Sequence, residues 1–305
     1  MTSSGNAQIL SYVPDETRKT ISDIFKRAGA GMEFEFIFFS KRGRQLNKEK
    51  YVLLLKYMRN MAKIKKIQVT QPERTLDFGY TASSLTELVT TTITDETENQ
   101  VFRATFSGTQ NINRILNRLK DVPNKNYMIY KFLLNTLRKS NNDKYISFMI
   151  KSRGQGDTVD IDDLNLRVRL SKEQDLSDDV ANMKHLDEHL TKLISGSQLD
   201  MNTRKTIDTK VFFRLKERTS LFIENDDDHF IRIDLTDTKT TKDVRKISNV
   251  SSNYELEIEY GLKGAKSLKK EHLDTMYSTS ENILKFVQQS PFIISNTLSE
   301  KVIQY

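Results

Sequence analysis

The chain has no cysteine and no tryptophan, and only 4 prolines and 11 glycines among 305 residues. Without thiols it cannot build a disulfide scaffold, a Cys-ligated zinc site, an iron–sulfur cluster or a cysteine nucleophile. So little Gly and Pro excludes collagen-like and low-complexity chains. No run of about 18 apolar residues occurs, so no membrane-spanning helix is expected. The opening Met1-Thr-Ser-Ser-Gly-Asn6 lacks the charged and then apolar stretches of a secretory signal, and a cytoplasmic location is expected. No Gly-x-Ser-x-Gly nucleophile elbow is present.

What is present supports a folded core. Apolar residues make up 37% of the chain, with 16 Phe and 11 Tyr placed in alternating patterns, which argues against global disorder. The length suits one large domain or two small ones. The 48 Lys and Arg outnumber 41 Asp and Glu, a net charge of +7 that mildly favours polyanionic partners.

Apolar periodicity predicts helices over 14–28, 48–65, 112–119, 127–137, 175–194 and 267–289. It predicts strands over 32–39, 75–81, 85–93, 101–106, 145–151, 164–170, 211–218, 220–224, 230–236 and 254–260. Short strands joined by polar turns point to an α+β fold, mainly antiparallel β, as a sheet or barrel rather than βαβ units. The domain is expected to span 1–290, with insertions near 95–99 and 171–204. Residues 291–305 read as a tail or linker to a further domain.

Two constellations carry chemistry. Glu33 and Glu35 sit two apart on one predicted strand; Glu255, Glu257 and Glu259 do so on another, alternating with Tyr254, Leu256, Ile258 and Tyr260. Residues two apart share a strand face, so each strand presents a row of carboxylates. The plain reading is a solvated face. All-Glu rows repel, however, and two of them together suit a hard divalent cation held by oxygen ligands. Basic residues alternate likewise: Arg214, Lys216 and Arg218 on one strand, Arg167 and Arg169 on another, with Lys151 and Arg232 on two more. If these faces turn inward, a closed barrel would set a carboxylate wall opposite a cationic wall. A metal-bound polyphosphate would neutralise both.

Two further patterns are weighed and set aside. His185-Leu-Asp-Glu188-His189 matches an inverted zinc-peptidase motif, but it lies on a polar helix. Gly261-Leu-Lys-Gly264-Ala-Lys266-Ser267 lacks the Gly-Lys step of a phosphate-cradling loop.

The ordered set Glu33-Phe-Glu35, Arg214-Leu-Lys216-Glu-Arg218, Arg232-Ile-Asp234-Leu-Thr236 and Glu255-Leu-Glu257-Ile-Glu259 resembles the metal-dependent RNA 5′-triphosphatases of fungal and large-DNA-virus type. These belong to the triphosphate tunnel metalloenzymes, and the likeness is to the triphosphatase module of giant-virus mRNA capping enzymes. It extends over about 211–261 and 32–36, more loosely over 145–170. Ile37 stands where a sister group with a Glu-x-Glu-x-Lys start has Lys, which favours the RNA triphosphatase branch.

The resemblance implies an eight-stranded antiparallel tunnel barrel with helices outside. It implies Mg²⁺ or Mn²⁺ bound directly by Glu33, Glu35 and Glu259, with Glu255 and Glu257 contacting metal-ligated water, orienting basic residues or positioning the attacking water. Phosphate oxygens would meet Arg214, Lys216, Arg218 and Arg232, together with Lys151, Arg167 and Arg169, which a one-residue slip would turn outward. Arg218, Arg232, Asp234 and Glu257 would form the catalytic group, with Asp234 and Thr236 supporting the basic wall.

The implied reaction removes the γ-phosphate from 5′-triphosphate RNA as the first step of mRNA capping. A Lys-x-Asp-Gly guanylyltransferase motif is absent from the sequence, so that activity is expected in a downstream region or a partner protein. No membrane and no DNA-specific binding is expected; for a viral protein the location would be the viral factory or the virion. The competing expectations are a metal-dependent hydrolase of free NTP or polyphosphate on the same fold, or a non-catalytic RNA-binding module.

Overall fold

The computed structural model describes residues 13–39, 45–81, 101–121, 126–139, 145–152, 154, 156–177, 180–203, 210–263 and 269–293. In chain order the elements are α1 (Asp15–Lys26), β1 (Met32–Phe38), α2 (Lys48–Lys65), β2 (Glu73–Thr81), β3 (Val101–Ser107), α3 (Thr109–Lys120), α4 (Asn126–Lys139), β4 (Ile146–Ser152), β5 (Thr158–Ile161), β6 (Leu166–Asp175), α5 (Val180–Thr203), β7 (Lys210–Asn225), β8 (His229–Thr241), β9 (Asn253–Leu262) and α6 (Lys270–Ile293).

The strands form one antiparallel sheet in the order β1-β9-β8-β7-β2-β3-β4-β6, and β6 pairs back onto β1. Eight strands therefore close a ring, and the expected tunnel barrel is the observed fold. The ninth strand, β5, lies outside it. It pairs with Leu166–Arg169 of β6, whereas β4 takes Lys172–Asp175 farther along the same strand.

Alternation sorts the side chains. On β1, Phe34 and Phe36 are buried outward under helices, while Glu33 and Glu35 face the cavity. Two apolar clusters clothe the outside. One joins β1, β6, β8 and β9 to α1, α2 and α6 through Phe34, Phe36, Leu54, Ile258, Met276 and Ile283. The other joins β2, β3, β4 and β7 to α3, α4 and α5 through Phe102, Phe106, Tyr130, Leu133, Leu186 and Phe213. Local signals set the helix ends: the Asn47 side chain accepts the Lys50 amide at the start of α2, and Lys66 ends it at φ 54°.

Several sequence expectations need correction. The two strands predicted over 211–218 and 220–224 are one continuous strand, β7. The segment read as an insertion over 171–204 begins inside the barrel, because Ser171–Asp175 complete β6. The helix predicted over 175–194 runs over Val180–Thr203 and packs on α4. His189, placed by the sequence on a solvated helix, is buried. β5 was not predicted; its four residues are too few to show a period. The predicted strand 85–93 and the loop 95–99 lie outside the described residues. No described helix is long and apolar enough to cross a membrane.

Candidate active site: a charged cavity inside the barrel

The barrel encloses a cavity of about 600 Å³. Its lining includes Glu33 and Glu35 from β1, Glu255, Glu257 and Glu259 from β9, Lys151 from β4, Arg167 and Arg169 from β6, Arg214, Lys216 and Arg218 from β7, and Arg232 and Thr236 from β8. Register places them side by side: Glu35 stands between Glu259 and Arg169, and Glu259 between Glu35 and Arg232.

The charges interleave rather than forming opposed walls, which corrects the sequence expectation. Lys151 Nζ lies 2.6 Å from Glu33, 2.9 Å from Glu173 and 3.5 Å from Glu35. Arg169 Nε donates to Glu35 Oε2 at 2.6 Å, and Arg214 Nη2 donates to Glu255 Oε1 at 2.8 Å. Arg232 donates to Glu259 at 2.8 Å and to Asp234 at 3.0 Å. Asp234 sits almost wholly buried beneath the cavity surface, accepting from Ser220 and lying 3.4 Å from Arg218 Nη1. Arg167 pairs outward as well, with Asp160 of β5 at 2.7 Å.

The carboxylates are electrostatically uneven. Burial, then Glu35 and Glu255, pushes Glu257 up to about 7. Burial and the facing Glu33 hold Glu259 well above the ordinary carboxylate range, despite Arg232. Lys151 is pushed up as well, but this keeps it charged: burial alone would lower it, and Glu35, Glu33 and Glu173 together outweigh that.

Glu33, Glu35 and Glu259 each offer a carboxylate oxygen, and the three oxygens lie within 4.8 Å of one another. Glu259 Oε1 is buried and has no hydrogen-bond partner. An orphaned carboxylate oxygen in an all-oxygen cluster fits a hard divalent cation. The His185/Glu188/His189 motif forms no such cluster among the described residues; His185 Nδ1 and Glu188 are 3.9 Å apart.

Sequence reasoning missed a second charged group. Asp77 of β2 is fully buried, 2.7 Å from Lys216 Nζ and 3.8 Å from Arg103 Nε, and it accepts from Thr105 at 3.0 Å. Arg103, Thr105 and Glu173 also line the cavity. Burial opposes ionisation of Asp77, but Lys216 and Arg103 outweigh it and lower its pKa. Burial pushes Lys216 down to about 8, with Asp77 resisting and Arg218, Arg103 and Arg214 adding to the fall. The signal was there in weak form: Arg103 and Thr105 alternate with Phe102, Ala104 and Phe106 on β3. One charge on β3, however, reads as an ordinary wet face.

Glycine and aromatic residues shape the inner wall. A Cβ on Gly261 would fall 2.4 Å from the Phe230 ring, and one on Gly79 2.2 Å from the Phe212 ring. Each glycine therefore lets a neighbouring ring lie flat on its strand. The Arg232 guanidinium stacks on Phe230 at 4.9 Å.

No protein-family model matches the chain. A probable mRNA-capping enzyme of Acanthamoeba polyphaga mimivirus is 25% identical over 159 residues, which is 52% of this chain and 11% of that protein. The mimivirus capping enzyme triphosphatase, in triclinic and monoclinic crystals, superposes with TM-scores of 0.57 and 0.60 at 20% and 17% identity. The match covers 90% of this chain and 96% and 99% of those chains. The RNA triphosphatase domain of a trifunctional mimivirus mRNA capping enzyme gives 0.57 at 18% identity, over 91% of this chain and 99% of that one. The chain therefore has the triphosphate-tunnel barrel fold seen in the mimivirus capping enzyme triphosphatase.

Proposed function

We propose that this domain is a divalent-metal-dependent RNA 5′-triphosphatase, converting a 5′-triphosphate end to a 5′-diphosphate and phosphate in mRNA capping. The observation that carries the reading is the Glu33, Glu35 and Glu259 oxygen cluster, with its orphaned Glu259 oxygen, inside the same closed cavity as Arg218, Arg232 and Lys216.

Glu33, Glu35 and Glu259 would hold Mg²⁺ or Mn²⁺, which when bound supplies charge neutralisation at the γ-phosphoryl oxygens. Arg218, Arg232 and Lys216 bind phosphoryl oxygens and stabilise charge as the bond to the β-phosphate oxygen breaks. Arg214, Arg167, Arg169 and Lys151 engage the more distal phosphates or hold the carboxylates in place. Asp234 fixes Arg232 and Arg218; Thr236 faces the cavity beside them. Glu257, flanked by Glu35 and Glu255, orients the attacking water and takes its proton, a task its elevated affinity for protons suits. Glu255 orients Arg214.

The diphosphate end suits guanylyl transfer, which a downstream domain or a partner protein would supply. The deciding experiment compares phosphate release from triphosphate RNA, ATP and tripolyphosphate, with and without divalent metal. Metal-dependent release from RNA is expected; a protein that cleaves tripolyphosphate and ignores RNA would instead be a polyphosphate hydrolase. Salt-sensitive RNA binding with no release would make it a binding module.

A further inference from the structure

A second group of metal-ligand side chains lies outside the tunnel. Glu224 near the end of β7, His229 at the start of β8 and His272 in the first turn of α6 each offer one ligand atom, and the three atoms lie within 4.8 Å of one another. Both histidines are buried. A β-bulge between Phe222 and Glu224 creates the arrangement. Phe222 opposes Arg232, which faces the cavity, yet Glu224 opposes Ile231, which faces out. The extra residue resets the alternation and delivers Glu224 to the outer face, where His229 already points.

Every ligand is oriented from behind. His229 Nδ1 lies 3.0 Å from Asp226 Oδ1, which itself accepts the backbone amides of Asp228 and His229. That leaves His229 Nε2, 2.9 Å from Glu224 Oε2, facing the group. Glu224 Oε1 is occupied by the Thr275 hydroxyl at 2.9 Å. His272 Nδ1 lies 3.2 Å from the Tyr260 hydroxyl, which leaves Nε2 as its ligand atom. A carboxylate or hydroxyl behind each ligand fixes tautomer and direction, as in metal-binding histidines generally. Glu224 remains one-third exposed, which gives an ion and a water a way in.

We propose that Glu224, His229 and His272 form a Zn²⁺-class site that fastens the β7–β8 hairpin to α6. Two imidazoles and one carboxylate select a borderline transition ion, whereas the oxygen-only tunnel cluster selects Mg²⁺ or Mn²⁺. The imidazole rings are now stacked, with centroids 4.0 Å apart and 25° between planes. The tunnel lining contains no histidine, so an imidazole signal cannot arise there.

The test is Zn²⁺ binding by the full chain in millimolar Mg²⁺, followed with a competing chromophoric chelator, with X-ray absorption at the zinc edge reading the ligands. The wild type is expected to bind one Zn²⁺ with two imidazoles in its shell and to melt several degrees higher when loaded. His272→Gln and, independently, Glu224→Gln should weaken binding by more than tenfold, and Asp226→Asn by roughly tenfold. Glu259→Gln in the tunnel should leave the binding unchanged. Zn²⁺ bound through oxygen alone, binding lost in Glu259→Gln, or binding untouched in both His272→Gln and Glu224→Gln would overturn the assignment. Should either variant fail to fold, the other and the wild-type spectrum decide.

Discussion

The two halves of the barrel handle buried carboxylates in opposite ways. On β9, Glu257 and Glu259 are pushed up by burial and by each other's neighbours, so as anions they strain the fold. On β2, Asp77 is more deeply buried, yet Lys216 and Arg103 hold it below its ordinary value. The difference is in the partners. Asp77 has a cation of the chain's own within 2.7 Å. Glu259 shares one arginine with Asp234 and keeps an unpaired oxygen. Asp77 is surrounded by cations, whereas Glu257 and Glu259 are crowded by other carboxylates.

Removing Glu259 or Glu33 as alanine should have the largest effect, reducing metal-dependent phosphate release to background while circular dichroism stays native. Equal rates in mutant and wild type would remove the metal from the β1–β9 half. Arg218→Ala should lower turnover by on the order of 10²–10³, the scale of losing one transition-state donor. Unchanged turnover would put Arg218 outside the reacting group.

Stability should split in opposite directions. Asp77→Ala strands Lys216 without its anion and should cost about 3–5 kcal/mol in urea unfolding. Glu259→Gln should instead raise the melting temperature of the metal-free protein. The sign follows from linkage. A carboxylate with a raised folded pKa leaves stability intact below its ordinary value and erodes it as pH climbs toward 7. Metal-free protein should therefore melt lower at pH 8 than at pH 5, with Mg²⁺ recovering more at the higher pH. A flat profile would mean that the β9 carboxylates are stabilised as anions just as Asp77 is.

The smallest effect concerns Lys216. Its ammonium, pushed down to about 8, loses its proton as pH rises through that value. The KM for tripolyphosphate should rise above pH 8, and Lys216→Arg should flatten the rise.

The same contrast explains what the sequence disclosed. The β1–β9 half announces itself because its acids come in runs with period two, and a run on one strand is enough to orient a whole face. Asp77, Arg103 and Glu173 lie on three strands, and only closure of the ring brings them together. Arg167, Arg169 and Lys151 were readable as basic but not as inward, because register depends on pairing partners distant in sequence. The β7 bulge that carries Glu224 outward leaves no trace in the pattern of residue types; it exists only as a two-against-one pairing with β8.

Closure has a mechanical corollary. A closed ring holds only as well as each ladder in it, and it opens first at its thinnest link. Here that link is β4–β6, joined by only four residue pairs against twelve for β7–β8. Amide deuteration along Ser152 and Lys172–Asp175 should outpace the rest of the ring, and polyphosphate bound within, which favours the closed ring, should slow it.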